Sequence, residues 1–128
     1  MPKTPRPTAS ELAILHVLWE QGPATVRQVH DALAGQQAER ATGYTTTLKL
    51  MQIMAEKGLV TRDESSRTHV YAARVPQQQA QKQLVGDLIA KAFGGSAAKL
   101  VMHALSTHPA SKEELAEIRR LIEQEKRK

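Results

Sequence analysis

The run from Tyr44 to Lys57, closed by Gly58 and followed at once by strand-like residues, constrains this chain more than any other stretch. Within it Tyr44, Thr47, Leu48, Leu50, Met51 and Met54 recur at three- and four-residue steps, while Thr45, Lys49, Gln52 and Glu56 fall on the other side. That spacing predicts an amphipathic helix with one face to bury and one able to make polar contacts. Gly58 is the residue type that takes positive φ just past a helix end, and Lys57 in the last turn suits the negative end of the helix dipole. Beyond it, the segments 59–62 and 68–75 are rich in β-branched and aromatic residues, and the turn-like Asp63 to Arg67 separates them. A short two-stranded antiparallel hairpin is expected.

Upstream, Thr8-Ala9-Ser10-Glu11 has the spacing in which a threonine and a glutamate satisfy each other's backbone donors at a helix start. A first helix is expected over about residues 9–21, with Leu12, Leu15, Leu18 and Trp19 as its stripe, Ile14 beside it, and Gly22-Pro23 as its stop. Thr25 to Gln28 repeats the capping pattern, and Val26, Val29 and Leu33 mark a second helix to about Ala34, followed by a polar loop from Gly35 to Arg40. Three short helices followed by a hairpin is the order of a winged helix-turn-helix, with the third helix reading a DNA groove.

After Pro76 the character changes. Gln77-Gln78-Gln79 reads as a polar entry into a helix carrying Leu84, Val85, Leu88, Ile89 and Phe93, which Gly94-Gly95 ends. Ser96 caps a further helix with Leu100, Val101, Ala104 and Leu105, and Ser111 to Glu114 is a third capping box, leading to Leu115, Ile118, Leu121 and Ile122. Three helices of this size carry more apolar stripe than they can bury among themselves. The expected fold class is therefore mainly α with a small β-hairpin: a winged-helix DNA-binding domain over 1–75 and a helical dimerisation region over 76–128. Leu84, Leu88, Phe93, Leu100, Val101, Leu105, Leu115, Ile118, Leu121 and Ile122 are the candidate interface residues.

Composition excludes several alternatives. The 128 residues contain no cysteine, which removes disulfides, thiolate metal sites and cysteine catalysis together. No segment approaches the roughly 20 apolar residues that span a bilayer, and residues 1–7 lack the apolar core of a signal peptide, so a cytoplasmic protein is expected. The net charge of +5 favours a polyanionic partner only modestly. Nine basic and seven acidic residues share positions 1–75, so net charge does not by itself locate a nucleic-acid face.

On the third helix Thr45, Thr46, Lys49 and Gln52 are of the types that reach base edges and phosphates. A solvated helix face would look the same in isolation; the position between a second helix and a hairpin favours the DNA reading. In the hairpin Arg62, Arg67 and His69 are candidates for tracking a DNA backbone or minor groove, against the alternative of a strand edge kept soluble by charge. Lys3 and Arg6 in the Pro-rich arm are weaker candidates. Ser96-Ala97-Ala98-Lys99 has the Ser-x-x-Lys spacing of serine acyl-enzymes, but Lys-Thr-Gly and Ser-Asp-Asn are absent, and Ser96 after two glycines is better read as a helix cap. The five histidines show no i, i+4 pair, so no metal or other cofactor is expected.

With Tyr44-Thr45-Thr46-Thr47-Leu48, Glu56-Lys57-Gly58-Leu59-Val60, the hairpin and the helical tail in place, the chain resembles the penicillinase-repressor family of BlaI/MecI type from Thr8 to its end. The resemblance implies a cytosolic homodimer that represses genes by binding double-stranded DNA at an inverted-repeat operator. It also implies a membrane sensor metallopeptidase that relieves repression through a cut in the dimerisation region. Relatives of this kind carry Asn and Phe at the cut; those positions here are His103 and Ala104. The copper-responsive branch uses a cysteine-rich tail, which this chain lacks. Outside that family, a winged-helix adaptor that binds a polypeptide rather than DNA is the competing class.

Overall fold

The computed structural model describes residues 6–36 and 43–127. Lys3 of the arm and residues 37–40 of the expected polar loop lie outside them. In chain order the elements are α1 (Ala9–Gln21), β1 (Ala24–Thr25), α2 (Val26–Gln36), α3 (Tyr44–Lys57), β2 (Val60–Asp63), β3 (Val70–Ala73), α4 (Gln77–Ala92), α5 (Ala97–Thr107) and α6 (Lys112–Lys126). They group into two compact units, residues up to Gln81 and residues from Lys82 onward.

Capping chemistry sets the helix starts. Thr8 Oγ1 accepts from Glu11 N at 3.2 Å while Glu11 Oε1 accepts from Thr8 N at 2.8 Å, so two backbone donors that the helix leaves unpaired are satisfied reciprocally. The same exchange joins Thr25 and Gln28 at 2.9 and 3.1 Å, and Ser111 and Glu114 at 3.2 and 3.1 Å. Ser96 Oγ accepts from Lys99 N at 3.2 Å, which makes Ser96 a helix cap. Gly58 ends α3 in the left-handed region, φ 85° and ψ 13°, and Leu59 N donates back to Met54 O at 2.9 Å. A Cβ on Gly58 would meet only Arg74 Nη1 at an ordinary 3.8 Å, so the cost of Gly58→Ala is the backbone conformation alone. That variant should lose about 1–2 kcal/mol in a urea melt.

The first unit holds the core. Ile14, Leu15, Val17 and Leu18 of α1 pack with Val26 and Val29 of α2, Met51 and Met54 of α3, and Leu59, Val60 and Tyr71 around the sheet. Leu12 and Trp19, expected on the α1 stripe, are half-buried, and Val17 takes a place in the core instead. Trp19 Nε1 donates to Val75 O at 2.9 Å, tying α1 to the chain leaving β3.

The sheet has three strands, not the expected two, in the order β1-β3-β2 and antiparallel throughout. Ala24 pairs with Tyr71 and Thr25 with Val70, so the two residues between Pro23 and α2 fasten the hairpin to the helical core. Two residues are too few for a period-2 pattern to show in sequence. β2 and β3 form the expected antiparallel hairpin, in a register from Val60 against Ala73 to Asp63 against Val70, so Asp63 belongs to the strand rather than the turn.

The second unit is built differently. α4 begins at Gln77, so the glutamine run is the first turn of the helix rather than a lead-in. Gly94 and Gly95, both at positive φ, turn the chain into α5. Neither α5 nor α6 buries a single residue, and Leu88, Val101, Met102, Leu115, Leu121 and Ile122 are large apolar side chains left in solvent.

Candidate nucleic-acid interface

The reader helix α3 is set by its buried face. Thr47, Met51 and Met54 are fully buried, with Leu48 and Leu50 packed at the edge of the core. Thr45, Thr46, Lys49 and Gln52 are thereby turned outward and exposed, where the spacing put them. No ion pair engages Lys49 among the described residues.

Tyr44 departs from the expected stripe: it is 39% exposed. The first turn of α3 runs past the edge of the core, and the ring is held from α2 instead. His30 meets it edge-on, with centroids 5.7 Å apart and planes at 81°, and the Arg27 guanidinium lies over its face at 4.7 Å. Behind it, His30 Nδ1 is 3.3 Å from the Thr47 hydroxyl, which also donates to Gly43 O at 3.4 Å.

In the wing, the Arg62 guanidinium is held charged more firmly than usual, first by the Tyr71 hydroxyl oxygen toward which it donates and then by Glu64, with which it pairs at 2.6 Å. Its side chain also lines a recess with Gln52, Ala55 and Glu56 of α3. Asp63 Oδ1 accepts from Ser65 N at 2.9 Å, which holds the Asp63 carboxyl below its ordinary range, and Ser66 Oγ donates to Thr68 O at 2.7 Å. Arg67 is exposed on this tied-down tip, and His69 is half-buried at its base.

The fold brings reader helix and wing together in one open depression, whose lining includes Arg27, Tyr44, Gln52, Arg62, Arg67 and His69. Among the described residues three guanidinium groups and no carboxylate line it, and although Glu64 pairs with Arg62, Arg27 and Arg67 gather positive charge there that net charge does not reveal. Four of the seven expected residues, Gln52, Arg62, Arg67 and His69, belong to it. Thr45, Thr46 and Lys49 sit beside it on the outward face of α3. Arg27 escaped sequence reading because an arginine in the first turn of a short helix looks like any solubilising charge; only the approach of α2 to Tyr44 gives it a place.

In the tail, Leu88, Val101, Leu115, Leu121 and Ile122 of the candidate interface residues are exposed, and Leu84, Phe93, Leu100, Leu105 and Ile118 half-buried. His103 and Ala104 lie inside α5, with the His103 ring 5.5 Å from that of Phe93. Among the described residues no group of three His, Cys, Asp or Glu side chains could hold a metal ion, and no helix is long and apolar enough to cross a membrane.

Residues 7–124 match the family described as Penicillinase repressor. Two curated relatives, each named Transcriptional regulator BlaI, from Mycobacterium tuberculosis strains CDC 1551 / Oshkosh and ATCC 25618 / H37Rv, are 43% identical over 63 residues. The alignment takes in 48% of this chain and 44% of each relative, so the chain spans less than half the length of the curated relatives it matches. A solved structure, described as the solution structure of the DNA binding domain of the repressor BlaI, superposes with a TM-score of 0.52 at 19% identity, covering 62% of this chain and 93% of that one. At that identity the likeness speaks for the fold, a winged helix-turn-helix. With nearly the whole chain inside the family match, the protein belongs to the penicillinase repressor family.

Proposed function

We propose that the protein is a transcriptional repressor that binds an inverted-repeat operator in double-stranded DNA as a homodimer. The observation that carries this reading is the exposed polar face of α3 beside a depression lined, among the described residues, by three arginines and no carboxylate. In this reading Thr45, Thr46, Lys49 and Gln52 face base edges in the major groove, and Arg67 and His69 meet the flanking backbone. Arg62, engaged by Glu64 and Tyr71, braces the wing against α3 and contributes to DNA through its charge.

The apolar side chains that α5 and α6 leave in solvent support pairing through residues 76–128, since neither helix buries a residue within its own protomer. A two-fold dimer presents two α3 helices, and half-sites about one helical turn apart, or a multiple, follow from that symmetry. Loss of dimerisation then ends repression in the cytoplasm. A cut at His103–Ala104 under a membrane sensor metallopeptidase would do this, and it requires α5 to unwind because both residues are inside that helix.

Selection of bound duplexes from a random pool, followed by mobility shifts with and without an inverted repeat, tests the reading. Specific retardation with a steep salt dependence is expected; a polypeptide-binding adaptor would show neither. Lys49→Ala should weaken binding to the selected duplex severalfold, because Lys49 is exposed on the reader face without an intramolecular ion pair among the described residues.

A further inference from the structure

Arg27 is a cation held in place and, among the described residues, not neutralised. It is exposed in the first turn of α2, its guanidinium lies 4.7 Å over the Tyr44 ring, and no ion pair engages it among the described residues, although Asp31 sits one turn along the same helix. The platform under it is itself fixed. Buried Thr47 anchors His30, and His30 meets the Tyr44 ring edge-on. The guanidinium is thus placed where α2 approaches the first turn of α3, and it lines the depression that runs to Arg67 of the wing.

A stacked guanidinium keeps its edge donors available while its face is occupied, and its planar fork matches two phosphate oxygens. Fixing it beforehand also reduces the side-chain freedom lost on binding. Resting on the DNA-binding reading above, we infer that Arg27, held on Tyr44, is a phosphodiester clamp: it grips the DNA backbone beside the major-groove contacts of α3 and reads no base. Arg27 supplies the charge, and Tyr44 is the positioning residue.

A phosphate contact and a base contact leave different thermodynamic traces. The former weakens all sequences alike when lost and lowers the salt dependence; the latter affects the preferred sequence alone. The test is fluorescence anisotropy with two labelled duplexes, one selected from a random pool by the wild-type protein and one of the same length with its sequence scrambled, across about 50–200 mM salt. Arg27→Ala should weaken both duplexes by the same factor, roughly fivefold per protomer, and reduce the log–log salt slope by about 0.9 per protomer. Arg27→Lys should keep the slope and bind more weakly than wild type, because an ammonium does not stack flat. Tyr44→Leu, which keeps the charge and removes the platform, should weaken both duplexes without changing the slope. Should the alanine variant fail to fold, Arg27→Gln serves the same comparison. A loss confined to the selected duplex, or an unchanged slope in Arg27→Ala, would overturn the clamp while leaving DNA binding intact. A wild-type protein that binds neither duplex would instead overturn the function on which the clamp rests.

Discussion

A Leu121→Asp protein is expected to sediment as a monomer and to lose about a hundredfold or more of its affinity for an inverted-repeat duplex, while its winged-helix unit melts as in wild type. Leu121 is half exposed and shares an apolar recess on α6 with Ile118 and Ile122, in a helix that buries no residue within its own protomer. An aspartate there costs the isolated chain little, because the carboxylate stays in water. In a subunit interface the same carboxylate must be desolvated without a partner, which costs several kcal/mol. The DNA consequence is larger than the dimer consequence. In the proposed dimer each winged helix alone would grip one half-site; tethering two would make the second contact intramolecular, and that effective concentration is worth about 10²–10⁴ in affinity. Analytical ultracentrifugation paired with anisotropy separates the two steps. Undiminished operator affinity in a demonstrably monomeric variant would remove dimerisation from the mechanism.

The features legible in sequence were those with a local cause. Thr8 with Glu11, Thr25 with Gln28 and Ser111 with Glu114 announce helix starts because the groups that exchange hydrogen bonds are three residues apart, and Gly58 announces a stop because one backbone conformation requires it. The outward face of α3 was legible for a similar reason, since Met51 and Met54 fix which side is buried. Features with a cause distant in the chain were not. Strand β1 exists because Tyr71 and Val70 offer it an edge, Tyr44 is drawn from the buried stripe by residues of α2, and Arg62 lines a recess with Gln52 and Glu56 of α3. The candidate site shows the same division: α3 contributes residues by periodicity, whereas Arg27 joins them only through tertiary approach.

Glu11 is the least conspicuous of these long-range effects and leads to the sharpest stability prediction. It reads as a capping residue, yet it is 2% exposed and its carboxylate accepts from Lys57 Nζ at 2.9 and 3.0 Å, joining the first turn of α1 to the last turn of α3. Burial pushes its carboxyl up, but the Thr8 backbone N–H and the Lys57 ammonium outweigh it and hold the group below its ordinary value. A carboxylate whose folded pKa is depressed adds stability above its unfolded value and loses it as pH falls through the folded one. Wild type should therefore weaken below about pH 4.5, through this group among others. Glu11→Ala should cost about 2–3 kcal/mol, less than for a fully enclosed pair because Lys57, with 35% of its side chain in solvent, can rehydrate. The reverse change is more telling. Lys57→Met leaves the buried carboxylate with only the Thr8 donor, so burial gains weight and the carboxyl pKa rises. Should it pass the unfolded value, the group would favour folding at low pH and oppose it as pH climbs. Urea melts from pH 4 to 7 should then show the deficit of Lys57→Met relative to wild type widening with pH, and that of Glu11→Ala widening too, since both lose a term that wild type gains on ionisation. The two variants separate when the melts are carried on to about pH 2, where Glu11 is protonated in wild type and the methionine variant alike: there Lys57→Met should approach wild-type stability, whereas Glu11→Ala keeps the fixed penalty of its lost cap and cavity. Equal deficits at both ends of the range would mean that packing of the two side chains, and not the charge between them, joins α1 to α3.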